Sequence, residues 1–298
     1  MSAPVQAKRL SLRMRAPDDA PAPPVPMPPG FIVGVPDRGE FMVRDSGGDG
    51  PLLLLLHGWV VSADVNFYGQ YDALRWAGYR VLALDHRGHG RGLRTPAPFR
   101  LADCAADAAA VLRELGTGPA LAVGYSMGGP IASLLARDFP DQVSGLVLCA
   151  TSADWTEPRQ RRTWRAMGAV RLGLGLFPNA AWRAGLRSVG LPDTAVTTWL
   201  ASELSRGSAR DLAEAGRELG RYDGRPWLPS LGVPAAVVVT ADDSDVPPRK
   251  QRELAALLGA PTFEVDGDHL VAGTAPEHFN PYLLRALERV RAAHATAV

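Results

Sequence analysis

The sequence predicts an α/β fold: a mostly parallel central sheet with helices on both faces, interrupted by a helical insertion. From Gly39 onward, short apolar runs alternate with longer amphipathic stretches, the pattern of a parallel sheet covered by helices. Several of those runs show little polar alternation, as strands buried on both faces should. The rhythm breaks between Ala153 and Pro229, where no convincing strand occurs and Trp155, Trp164, Trp182 and Trp199 fall among arginines.

Residues 1–30 hold eight of the 26 prolines, six of them between Pro21 and Pro29. Such a composition keeps the backbone solvated and extended, so the segment reads as a flexible tail. Residues 31–152 and 230–298 form the sheet-based core. Strands are predicted at Glu40–Arg44, Leu52–Leu56, Arg80–Leu84, Ala120–Val123, Gly145–Cys149, Ala235–Thr240 and Thr262–Val265. Helices are predicted at Val65–Trp76, Ala102–Leu115, Met127–Asp138, Pro248–Leu258 and Pro276–Ala293. Beside the second, Leu101, Ala105, Ala108, Leu112 and Leu115 repeat at three- and four-residue spacing, which lays one apolar stripe against a sheet. Residues 153–229 are the helical insertion, and no internal repeat is present.

The chain of 298 residues with 46% apolar side chains can bury a large core and fold alone. Thirty-two basic against 31 acidic side chains leave a net charge of +1, without the positive field that nucleic-acid binding draws on. The longest aliphatic run, Leu52–Leu56, is far short of the roughly 20 residues that span a bilayer. The basic N-terminus runs into Asp18, Asp19 and prolines instead of an apolar secretion segment. Cys104 and Cys149 sit in apolar sequence and suggest neither disulfides nor a zinc site, so a cytoplasmic location is expected. No feature sets an oligomeric state.

Gly124-Tyr125-Ser126-Met127-Gly128 matches the G-x-S-x-G pattern, in which a serine sits on a sharp turn between a strand and a helix. Context strengthens it, because an apolar strand precedes and a helical stretch from Pro130 to Asp138 follows. Glycines beside the serine avoid the clashes that such a turn imposes. A serine hydroxyl at its ordinary pKa is a poor nucleophile; it needs a histidine to take its proton and a carboxylate to orient that histidine. His269, in Asp266-Gly267-Asp268-His269 after the last predicted strand, is the expected base. The acid is sought in Asp242-Asp243-Ser244-Asp245-Val246-Pro247, after strand Ala235–Thr240, where Asp242, Asp243 and Asp245 compete with Asp154. An aspartate here could equally cap the helix starting near Pro247.

These residues resemble an α/β-hydrolase-fold serine hydrolase of the esterase and lipase type, over about Phe41 to Val290. The further matches are Leu55-Leu56-His57-Gly58-Trp59, Asp85-His86-Arg87-Gly88-His89-Gly90, the Asp-x-x-Val-Pro segment and Gly267-Asp268-His269, all in order. The resemblance implies Ser126 as nucleophile, His269 as base and Asp243 as acid. It implies backbone N–H groups of Trp59 and Met127 as the oxyanion hole. It also implies that residues 153–229 form a cap lining the substrate pocket, with Trp155, Trp164 and Trp182 as candidate pocket residues. No metal and no organic cofactor is required, and the expected partner is a small ester-like molecule.

His57, His86 and His89 lack the helical placement and partner ligands of a zinc site and are expected to brace the loops. Residues 153–200 hold seven arginines against three acids, which fits a solvated helical face as well as an anionic-substrate site. The expected reaction is hydrolysis of a carboxylic ester of a small, largely apolar substrate through an acyl-enzyme. The alternatives are carbon–carbon bond hydrolysis or cofactor-free perhydrolase (haloperoxidase) activity with the same triad, and a non-catalytic ligand-binding protein. Burial should lower the pKa of His269 and a neighbouring carboxylate should raise it, leaving the value near 6 to 7.

Overall fold

The computed structural model describes residues 21–157, 167–176, 178–188 and 190–297. Its centre is an eight-stranded sheet in the order β1-β2-β4-β3-β5-β6-β7-β8. The strands are β1 (Gly30–Val35), β2 (Gly39–Asp45), β3 (Leu52–Leu56), β4 (Arg80–Leu84), β5 (Ala120–Tyr125), β6 (Val143–Cys149), β7 (Ala235–Thr240) and β8 (Thr262–Val265). All pair in parallel except β1 with β2 and β2 with β4. The seven predicted strands are all present.

β1 is the strand that the sequence reading lacks, and it begins at Gly30, the last residue of the proline-rich segment. Gly30 pairs with Arg44, while Arg44 Nη1 donates to Pro28 O and Asp45 N to Pro29 O. The segment is therefore anchored to the sheet at least from Pro28; residues 1–20 lie outside the described residues.

The five leucines of β3 show why the central strands lack alternation. Leu54 and Leu56 pack into one apolar cluster with helices α3 (Leu101–Glu114) and α4 (Gly128–Asp138). Leu53 and Leu55 pack into another on the opposite face, with Phe279, Leu283 and Leu287 of the C-terminal helix. Both faces of the sheet are covered, so Leu53 to Leu56 are buried whichever way they point, with Leu52 half-buried at the strand's start.

The predicted helix Val65–Trp76 is two helices, α1 (Ala63–Phe67) and α2 (Tyr71–Trp76). Tertiary contacts break it: Tyr68 Oη donates to Gly273 O, Gln70 Nε2 donates to Ala272 O at 2.8 Å, and a Cβ on Gly69 would meet Pro276. Ser62 starts α1 earlier than predicted, its Oγ accepting from Val65 N.

The insertion contains α5 (Met167–Leu176), α6 (Pro178–Ser188), α7 (Ala195–Leu204) and α8 (Ala209–Leu219). Its two chain crossings run side by side: Trp155 N donates to Tyr222 O (3.0 Å) and Gly224 N to Ala153 O (2.8 Å). The chain then completes the sheet with α9 (Pro248–Leu258), α10 (Val271–Thr274) and α11 (Pro276–Ala297). No helix among the described residues is long and apolar enough to cross a membrane.

Candidate active site

Ser126 stands at the turn between β5 and α4 with φ of 51°, in the left-handed region that non-glycine residues seldom enter. Holding a residue there costs about 1 to 3 kcal/mol, so the surroundings must enforce it. Three bonds do so: Ser126 N donates to Cys149 O (2.9 Å), while Ser126 O accepts from Gly129 N (2.9 Å) and Thr151 Oγ1 (2.7 Å). The flanking glycines answer to sterics: a Cβ on Gly124 would strike the Gly128 carbonyl, and one on Gly128 the Leu56 carbonyl. The sharp turn thus exists because the helix start is pressed against β3.

His269 lies in the loop between β8 and α10, with Nε2 3.0 Å from Ser126 Oγ and Nδ1 2.7 Å from Asp243 Oδ2. Of the four competing carboxylates, Asp243 is the one brought against His269. Asp154 is held elsewhere, its Oδ2 2.8 Å from Lys250 Nζ at the base of the insertion. Asp243 does not cap α9, whose N-cap is Pro247 without a side-chain bond; its Oδ1 closes the loop instead, accepting from Asp245 N (2.9 Å) and Val246 N (2.8 Å). Thr240 Oγ1 at 2.8 Å and Gln251 Nε2 at 3.3 Å donate to Oδ2. Both carboxylate oxygens are thereby fixed, and with them the imidazole.

The bond pattern selects one tautomer of His269. Nδ1–H donates to the carboxylate, leaving Nε2 to accept from the serine hydroxyl. Burial pushes the His269 pKa down, but the hydrogen bond and charge of Asp243, with Asp245 and Asp268 nearby, outweigh it and the net shift is upward. The expected balance near the ordinary value is therefore resolved in favour of the carboxylate.

The loop after β3 lies directly against the serine, with Gly58 so close that a Cβ there would sit 3.3 Å from Ser126 Cβ. Asn66 Oδ1 accepts from Gly58 N at 2.8 Å and holds this loop. Trp59 Nε1 donates to Leu212 O of α8 at 2.7 Å, tying the loop to the insertion. Val60 follows with φ of 64°, unusual for a β-branched residue. Met127 immediately follows Ser126 and is fully buried.

His57, His86 and His89 lie behind this loop, none more than 1% exposed. His57 braces two loops, with Nδ1 2.8 Å from Gly58 O and Nε2 accepting from His86 N at 2.9 Å. His89 Nδ1 lies 3.0 Å from Arg87 O. Neither ring nitrogen of His86 has a partner, so bracing falls to its neighbours. Among the described residues, no group of His, Cys, Asp or Glu could hold a metal ion.

A cavity of about 620 Å³ opens over Ser126 and His269 between core and insertion. Trp155 lines it, together with Leu186, Val196, Leu200 and Leu204 of the insertion. Trp182 does not; it packs instead against the neighbouring Val65, Trp199 and Leu204 cluster. Trp164 lies outside the described residues. Sequence reading missed the aliphatic wall of α7, whose Val196, Leu200 and Leu204 repeat at four-residue spacing and could have been read as a helical stripe. It also missed Asn66 and Gln251, for which no local signal exists.

Eight strands in this order, a serine on the strand-to-helix turn and a histidine and aspartate from the last two strand loops define an α/β hydrolase. The α/β hydrolase fold family matches residues 51–276, and the chain belongs to it. The chain is 26% identical over 227 residues to 3-oxoadipate enol-lactonase 2 of Acinetobacter baylyi, covering 71% of this chain and 79% of that one. It is 27% identical over 272 residues to a 2-hydroxy-6-oxononadienedioate/2-hydroxy-6-oxononatrienedioate hydrolase of a Pseudomonas species, covering 85% and 93%. Among solved structures, a bromoperoxidase from Bacillus anthracis superposes with a TM-score of 0.76 at 18% identity, over 87% of this chain and all of that one, a likeness of fold.

Proposed function

We propose that this α/β hydrolase cleaves a carboxylic ester-type bond of a small, largely apolar substrate through an acyl-enzyme on Ser126. The observation that carries the reading is the unbroken relay from Asp243 Oδ2 through His269 to Ser126 Oγ, at 2.7 and 3.0 Å, on the floor of an apolar cavity. His269 Nε2 takes the Ser126 proton as Oγ attacks the carbonyl carbon. The backbone N–H groups of Met127 and Trp59 receive the oxyanion; losing one such donor typically costs about 3 to 4 kcal/mol. His269 then returns the proton to the departing alkoxide. Water, deprotonated by the same nitrogen, releases the acid and restores the serine.

Residues 153–229 act in this reading as the cap over the acyl group. The two cysteines are free and buried, which supports a cytoplasmic enzyme. Hydrolysis of a carbon–carbon bond beside a ketone is the second reading, supported by the likeness to the oxononadienedioate hydrolase. A fluorophosphonate probe should label Ser126 and abolish p-nitrophenyl ester turnover. A chain that turns over esters without being labelled, or is labelled at another residue, would refute the serine mechanism; one that is neither labelled nor active would be a binding protein.

A further inference from the structure

Resting on that reading, we propose that the site selects acyl groups that are neutral as well as apolar and turns away those ending in a carboxylate. The cavity that holds Ser126 is also lined by Val61, Val65, Val196, Leu200 and Leu204. Four of its hydroxyls are engaged by the main chain. Tyr68 Oη donates to Gly273 O, Tyr125 Oη to His269 O (2.9 Å), Thr197 Oγ1 to Pro192 O (2.8 Å) and Thr274 Oγ1 to Leu270 O (3.1 Å). Each of these protons is already committed to a main-chain carbonyl.

No lysine or arginine is among the described residues that line the cavity. Of the seven arginines between residues 153 and 200, Arg183 and Arg187 turn to Asp193, at 3.1 and 3.6 Å, and Arg171 is exposed. Arg159, Arg161, Arg162 and Arg165 lie outside the described residues. Asp245 is exposed where it lines the cavity. A carboxylate moved from water into such a wall loses its hydration and gains no cation from the described lining, with the single amide of Asn66 as a side-chain donor, an unfavourable transfer. The relatives named for an oxoadipate lactone and a dienedioate differ from this chain on that account: their named substrates derive from diacids.

The test compares p-nitrophenyl hexanoate with mono-p-nitrophenyl adipate, which has the same leaving group and chain length but a terminal carboxylate. The methyl ester of the adipate serves as a polar, uncharged control. The hexanoate should exceed the free adipate in kcat/KM by about 100-fold or more, with the methyl-capped adipate recovering most of the difference. Hexanoate and free adipate within about threefold of each other, with turnover absent in Ser126→Ala, would overturn the substrate inference alone and point to the arginines between 159 and 165. Hexanoate turnover that survives Ser126→Ala would instead overturn the serine mechanism beneath it.

Discussion

His269 stands beside a carboxylate, whereas the buried His57, His86 and His89 rings stand beside one another. The rings of His57 and His86 are 4.2 Å apart and those of His57 and His89 5.4 Å. Burial lowers His86 to about 3 and His89 to about 4, with His57 also well below its ordinary value. The same physical penalty acts on His269, and Asp243 reverses its outcome. The contrast teaches that the partner, more than burial, decides whether a histidine in this molecule can carry charge. The trio is kept neutral, while His269 beside Asp243 holds a proton more readily than a free histidine.

The widest test of this division is removal of the group that His269 serves. Ser126→Ala should lower kcat by about 10⁴ to 10⁶ while the circular dichroism spectrum and thermal midpoint stay near wild type, since little volume is deleted. More than a tenth of wild-type ester turnover would break the assignment. Asp243→Asn should follow at about 10⁴, because an amide cannot hold Nδ1–H toward it with the same charge. Asp242→Asn and Asp245→Asn should each retain most of their activity toward neutral esters; a crippled Asp245→Asn would place the relay two residues later.

How far the sequence carried this reading depends on where the determining contacts lie. β3, the Gly124–Gly128 turn and the loops bearing His57 and His269 were legible because their causes are local: apolar runs, small residues at a turn, loops after strands. The choice of Asp243 over Asp154 came from the resemblance and not from the residues themselves, for its physical cause includes Lys250, which engages Asp154 from 96 residues away. Gln251, which fixes both Thr240 and Asp243, looks like any polar residue of an amphipathic helix. The break at Gly69 and the side-facing Trp182 likewise come from packing partners distant in sequence. β1 was hidden by the prolines that precede it.

The buried trio predicts an acid weakness. Its native pKa values lie below the ordinary value of about 6.5, so the unfolded chain binds protons that the native one refuses. Its stabilisation is complete above about 6.5 and declines as pH falls toward the native values. Between pH 6.5 and 5, replacing His86 by leucine should therefore remove about 1 to 2 kcal/mol of the wild-type loss, read as a flatter dependence of the urea midpoint on pH. Parallel curves for the two proteins would show that His86 titrates like an exposed histidine.

A smaller effect is expected at the loop that separates the two clusters. Trp59→Phe keeps a ring but deletes the N–H that reaches Leu212. A hydrogen bond of this kind is worth about 0.5 to 1.5 kcal/mol, so kcat should fall about two- to tenfold if the bond positions the neighbouring backbone donor. KM and the pH profile should change little. A change confined to KM would assign Trp59 to substrate contact instead.

The finest test asks whether the two histidine classes can be interconverted. In wild type, kcat/KM should rise with pH as His269 loses its proton, with a midpoint above the ordinary value of about 6.5, because Asp243 favours the charged ring. In Asp243→Asn the burial that already acts on the ring is no longer outweighed, while Asp245 and Asp268 remain as weaker raising influences. The midpoint of the residual activity should then drop below the wild-type one, toward the behaviour of His86 and His89. Nδ1 titration followed by NMR of labelled histidine would give the same direction without relying on slow turnover. A midpoint that stays put when the carboxylate is gone would mean that burial and the distant charges set the His269 pKa, and the contrast between the two clusters would rest on solvent access alone.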